Sequence, residues 1–185
     1  MTCNGCLLTP DCERVRLTGV AQPMNTASSL AYLTASLGTL IVARRTSGSM
    51  RINLNAYAAA LAASGIGSAA YHGHRPGRTH YVHDGSVPVT FALALSLLTR
   101  IALNEGVRWR NPHLRRLLAL SVLAAAAYRG GRTTSRLCHP DSPLQLHAAW
   151  HVLSALAGLA IAQAAAETAN QRSGNSHTKR QDHRS

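Results

Sequence analysis

The chain has 185 residues, 19 of them Lys or Arg against 7 Asp or Glu, for a formal charge of +12. Such an excess points either to nucleic acid or to an anionic membrane surface. The basic residues punctuate apolar runs, and no aromatic-and-basic recognition surface accompanies them, which excludes a nucleic-acid binder and leaves loops between membrane spans.

Mean hydropathy is near neutral because polar ends are averaged with alanine-rich, moderately apolar segments. Lys179 is the only lysine, and alanine is abundant, as in proteins from GC-rich bacterial genomes. Residues 1–26 are polar and carry Cys3, Cys6 and Cys12. No basic stretch followed by an apolar one opens the chain, so no cleavable signal peptide is expected. Cys3-x-x-Cys6 lacks the second CxxC or βαβ context of a metal or redox pair and reads as structural or incidental.

Five apolar runs follow, at about 27–43, 54–72, 86–103, 114–128 and 144–166. Most are near the roughly 17–25 residues that cross a bilayer. Arg44-Arg45 closes the first, and Pro88 falls in the first turn of the third, where proline is tolerated. The fourth is short and opens with Arg115-Arg116, which would snorkel to the interface. Pro143 precedes the fifth. From Glu167 onward the tail is polar and basic and is expected to be disordered. The predicted fold is therefore all-α, an integral-membrane bundle of about five helices without internal repeats.

Within these runs the histidine spacing stands out. His147 and His151 are one helical turn apart in the fifth run, and Ser68 and His72 repeat that interval at the end of the second. Two imidazoles so placed can share one Zn²⁺, and a third would leave an open, catalytic-type position. His83-Asp84 lies just before the third run. By parity, His72, Ser68, Asp84, His147 and His151 all fall at similar depth on one side of the membrane. The opposite side carries Arg44, Arg45, Arg51, Arg100, Arg108, Arg110, Arg115, Arg116 and the basic tail, and is cytoplasmic by the positive-inside rule. The N-terminus and the site then face outward. Cys12 and Cys138 share that oxidising side and can pair, tying the N-terminal segment over the site, with Cys3–Cys6 as a local alternative.

Each residue also has a plainer reading. A serine in a membrane helix usually bonds its own helix, a histidine can join two helices, and an aspartate at a helix start can be a cap. His74, His80, His83 and His139 read as solvated loop residues, and Arg75 and Arg78 as ordinary loop charge. His113, His177 and His183 lie on the far side. Tyr71 and Trp150 read as packing or interfacial aromatics.

Three stretches resemble the alkaline ceramidase family, within the integral-membrane metal-hydrolase superfamily that includes the adiponectin and progestin receptors. Gly65-Ile66-Gly67-Ser68-x-x-x-His72 is similar to its second-helix motif, and His83-Asp84-x-x-x-Pro88 to the motif opening its third helix. Leu144-Gln145-Leu146-His147-Ala148-x-Trp150-His151-x-Leu153 is similar to its last-helix motif. Asp11-Cys12-Glu13 and Asn25 are weakly similar to its N-terminal segment. The resemblance covers about residues 11–166. It implies Zn²⁺ held by His72, His147 and His151, with Ser68 and Asp84 beside the metal-bound water; the mechanism expected from such a set has Asp84 carry that water's proton and Ser68 donate to the oxyanion. The implied reaction is amide hydrolysis of ceramide or a related N-acyl lipid.

Two departures qualify the resemblance. The family has seven spans, and only two fit here between Asp84 and His147 where it has four. Parity survives that loss, but the lipid cavity would be smaller or completed by a second subunit. The eukaryotic members' acidic calcium site is not matched, since Gln22 stands near one expected ligand and Arg14-Val15 follow Glu13. A second function is a receptor-like or structural protein that keeps zinc only to staple its helices. Ser68 and Asp84 at the open position favour the enzyme.

Overall fold

The computed structural model describes residues 10–74, 80–105 and 111–182. Cys3, Cys6, Arg75, Arg78, Arg108, Arg110 and His183 lie outside the described residues, as do the side chains of His80 and His177. The fold is all-helical: α1 (Pro23–Ser28), α2 (Leu30–Arg44), α3 (Gly48–Gly73), α4 (His80–Glu105), α5 (Pro112–Gly130) and α6 (Leu146–Asp182). The stretches Pro23–Arg44, Tyr81–Leu103 and Leu146–Gln171 are long and apolar enough to cross a membrane. The expected second and fourth spans form long helices, α3 and α5, whose polar residues dilute their hydropathy.

Three boundaries differ from those read in the sequence. The first helical stretch begins at Pro23, four residues before the apolar run, because proline opens a helix without losing a needed donor. Helix α4 begins at His80, so Pro88 lies inside it and not in its first turn. There it deprives the Asp84 carbonyl of its helical donor. Nearby, Ser86 Oγ donates to the His83 carbonyl and Thr90 Oγ1 to that of Ser86. Helix α6 runs to Asp182, past the expected end at Glu167. No proline follows Pro143, so nothing in the sequence removes a backbone donor to stop it. Asn111 caps α5, its side chain accepting from the N–H of His113 at 2.8 Å, with Pro112 in the first turn.

Helices α2, α3, α4 and α6 form a closed ring, each touching the next, while α5 packs on the outside of α6. Among the described residues α5 touches no other helix, so α4 and α5 are not in contact. The burial follows from this arrangement: 56% of the α6 span is buried against 17% of the α4 span. Alanines at 155, 157, 160, 162, 164, 165 and 166 are buried along α6 and let its neighbours approach closely. Leu54, Tyr57, Leu61 and Leu97 fill the core between α3, α4 and α6. Hydroxyls join the helices: Ser36 Oγ donates to the Ala58 carbonyl, Tyr32 pairs with Ser154 at 2.7 Å, and Ser64 with Thr90 at 2.8 Å.

This ring brings the end of α3 and the starts of α1, α4 and α6 to one end of the bundle. The chain ahead of α1 crosses that end. It pairs with the α5–α6 loop through Cys12 N–H to the Gly131 carbonyl and Arg14 N–H to the Pro140 carbonyl. Cys12 and Cys138 lie at disulfide distance, with S–S 2.12 Å.

Candidate metal centre

His72, His147 and His151 converge from α3 and α6. All three are buried, and one ring nitrogen from each lies within 4.8 Å of the others. The ring centroids are 5.2, 5.2 and 4.7 Å apart. The helical turn between His147 and His151 accounts for one of these approaches. The other two require α3 to pack close to the N-terminal end of α6. Gly131, at the end of α5, is what admits His147: a Cβ there would sit 2.5 Å from the His147 backbone nitrogen. Gly67 plays the same part on α3, where a Cβ would meet the His83 backbone at 3.2 Å.

The protonation pattern can be read from the neighbours. Gln22 Nε2 donates to the Glu13 carbonyl at 2.8 Å, so its Oε1 is the atom facing His72 Nδ1 at 2.7 Å. That oxygen can only accept, so His72 carries its proton on Nδ1. Ser28 Oγ donates to the Asn25 carbonyl and therefore accepts from His151 Nδ1 at 2.9 Å. His147 Nδ1 lies 3.2 Å from Asp11 Oδ1 without the geometry of a hydrogen bond, and it is buried with no hydrogen-bond partner. With Nδ1 bonded in His72 and His151, Nε2 is the ligand atom of those two rings. His72 Nε2 is buried with no hydrogen-bond partner, the condition of an atom whose partner is a metal. Three such imidazoles could hold a divalent transition ion.

Ser68 is at the site. Its Oγ is 3.4 Å from His151 Nε2 and 2.8 Å from Ser29 Oγ. Ser29 gives its own proton to the Asn25 carbonyl at 2.8 Å, so the Ser68 proton goes to Ser29 and its lone pairs face the histidines. Asp84 is not brought to the cluster. Its side chain is 66% exposed and accepts from His83 Nδ1 at 2.9 Å. His83, only 18% exposed, is the residue turned inward, stacked on Tyr71 and edge-on to His72 with centroids 6.2 Å apart. His83, expected to be a solvated loop residue, is thus the largely buried member of the pair and Asp84 the exposed one. His74 and His139 are exposed, as expected. Trp150 packs on Tyr128 and on His147.

Four further residues belong to the site: Asp11 and Asn25 fall in the stretches weakly similar to the family's N-terminal segment and Gln22 stands near one expected ligand there, while Ser28 carries no signal in the sequence. Gln22 and Ser28 hold two of the rings by hydrogen bonds, and Asp11 faces the third. Asn25 lies between Gln22 and Ser28 at helical intervals, on the same face of α1. It is fully buried, and both side-chain atoms lack a partner.

The electrostatics outside the spans follow from burial. It pushes the Asp11 carboxyl above the usual carboxylate range, with the Arg132 guanidinium at 3.1 Å and then His83 pulling it back. Glu13 is likewise raised by burial, opposed by the Met24 and Asn25 N–H groups that it accepts from at 2.8 Å. Through those bonds Glu13 caps α1 from outside the helix. The bidentate Arg14 bond holds the Asp141 carboxyl below its usual range.

No protein-family model, curated protein or solved structure matches the chain.

Proposed function

We propose that the chain is a zinc-dependent membrane amidase that hydrolyses ceramide or a related N-acyl lipid, as the ceramidase-like motifs imply. The observation that carries this reading is the convergence of three buried imidazoles, two of them held at Nδ1 from outside and the third facing a carboxylate, with one ring nitrogen of each placed for a single ion. Zn²⁺ held by His72, His147 and His151 would keep a position open for water, lower that water's pKa to about 7 and polarise an amide carbonyl.

The chain's own residues would do the rest. Ser68 presents lone pairs to the histidine cluster and orients a donor there. The proton carrier is the Asp84–His83 pair, in which Asp84 is a positioning residue that holds the inward ring by its Nδ1. Asn25 offers an unused buried amide for the substrate carbonyl. The missing contact between α4 and α5 leaves a flank of α6 open to the bilayer, a lateral way in for an acyl chain. The site side faces away from the cytoplasm in a bacterial plasma membrane. This orientation is supported by the Cys12–Cys138 approach and by the arginines at the other end of the bundle.

One observation favours a second reading, in which zinc only staples α3 to α6 and lipid acts as ligand: Asp84 is exposed and apart from the cluster. Purification in detergent, metal analysis and fatty-acid release from N-acyl lipids separate the two. Wild type should contain about one zinc and release fatty acid, and His151→Ala should lose both. His83→Gln and Asp84→Ala should keep the metal and lose turnover. Zinc without turnover on any N-acyl lipid supports the staple, and no metal in wild type ends both readings.

A further inference from the structure

The three imidazoles lie on α3 and α6, but what aims them comes from another part of the chain. Gln22 holds His72, Ser28 holds His151 and Asp11 faces His147, and all three come from the stretch 11–28. That stretch is fixed at two points. At one end it is bound to the α5–α6 loop by the Cys12–Cys138 pair, by three backbone bonds at Cys12, Arg14 and Thr133, and by Asp11–Arg132. At the other, the N–H groups of Ala21 and Gln22 donate to the Gly73 and His72 carbonyls at the end of α3. The helix that continues it is capped by Glu13 of the same stretch.

We infer that residues 10–29 are a retention strap for the metal. Asp11, Gln22 and Ser28 are its positioning residues, the Cys12–Cys138 pair is its fastener, and together they set the affinity of the site for a divalent ion. The inference rests on the proposed metal site but not on the proposed hydrolysis. The physical argument is that an imidazole free to rotate or to change tautomer must be ordered when it binds a metal, whereas one held by its Nδ1 is already ordered. Partners of this kind are worth about 10–100-fold in metal affinity when removed singly. Here one segment supplies two such bonds and the carboxylate that faces the third ring, so loosening it at the fastener should act on every ligand at once.

The test uses the full chain in detergent. Zn²⁺ affinity is measured by competition with a chromophoric chelator, and the ligand field by the visible absorption of the Co²⁺-loaded protein. Ser28→Ala and Asp11→Asn should each raise Kd about 10–100-fold. Ser28→Thr, which keeps the hydroxyl, should bind as wild type does. The Cys12→Ser, Cys138→Ser double variant should bind more weakly than either single strap variant and show an altered Co²⁺ spectrum. Should the double variant fail to fold, the first two substitutions, each a change of one or two atoms, decide the matter. Wild-type affinity and an unchanged Co²⁺ spectrum in both would overturn the strap and leave the metal site standing. Absence of metal from the wild type would instead remove the site itself.

Discussion

Ser68 has one proton, and its neighbours decide where it goes. Ser29 already donates to the Asn25 carbonyl, so Ser68 donates to Ser29 and turns lone pairs toward His151. So placed, it would accept from a water or amine in the site and would not serve as the oxyanion donor of the expected mechanism. The two roles differ in size. An accepting hydroxyl is worth about 0.5–1.5 kcal/mol, or roughly 2–12-fold. A dedicated oxyanion donor is worth about 10²–10³-fold. Ser68→Ala should therefore lower fatty-acid release by no more than about tenfold with zinc content unchanged, and a loss of several hundredfold would return the oxyanion role to Ser68. Asn25 is the better donor, since a buried amide with both atoms unpartnered is costly unless something binds it. Asn25→Leu should hold or raise the melting temperature while abolishing most turnover; unchanged turnover would show that the amide has no part in the reaction. At this scale the sequence reveals what lies on a single helical face. Ser68 with His72 and His147 with His151 were legible for that reason. Asp11 and Gln22 were reached only through the weak N-terminal resemblance and Ser28 not at all, because the distances that matter to them cross helices and no period in the sequence links them to their partners. His83 and Asp84 show the limit of motif reading, since a helix turns about 100° per residue and two adjacent side chains cannot both face the same site.

Among the elements, α5 is the one whose attachment is least redundant. Among the described residues it packs on no helix but α6, and its end meets the start of α6 at Gly131, where a Cβ would fall 2.5 Å from His147 N and 2.9 Å from His147 Cα. Those are backbone atoms, so no side chain can rotate to make room. Gly131→Ala should cost about 1–3 kcal/mol of stability, the range for overpacking. Because it displaces a ligand's backbone, it should weaken zinc binding as well. Gly85→Ala is the control: it sits inside α4 with nothing within 4 Å of the added carbon. It should stabilise by about 0.5–1 kcal/mol on helix propensity alone and leave metal affinity untouched. Thermal melts with and without zinc check both, and equal metal affinity in Gly131→Ala and wild type would show that the close approach is incidental to the site. The helices themselves were legible as apolar runs, but their ends were not. Hydropathy marks where a helix meets lipid, whereas the ends of these helices are set by proline, capping and the absence of stops, as at Pro23, Asn111 and the long run past Glu167.

Across the whole molecule, the histidines join positions 72 and 151, which the sequence separates by most of the bundle. The alternation of span direction was enough to place them on one side, because each helix reverses the chain and parity does not depend on where a helix begins. What parity could not give is the arrangement in the plane. Four helices close a ring and α5 lies outside it, so that α4 and α5 do not meet among the described residues. The ring is held by small-residue packing and scattered hydroxyl bonds, and in lipid neither is reinforced by the hydrophobic effect. A metal that ties α3 to α6 would therefore be a large share of its stability. An ion present at a hundred times its Kd contributes about 2.7 kcal/mol. For a chain of this size that corresponds to roughly 5–11 °C in melting temperature. Chelator treatment of the wild type should lower the melting temperature by that amount, and restored zinc should recover it. His147→Ala should melt near the chelated value and be indifferent to either treatment. A melting temperature that ignores the chelator in wild type, with zinc shown to have left, would mean that the ring stands without the ion. The three buried imidazoles would then be organised for chemistry alone, and the staple reading would lose its basis.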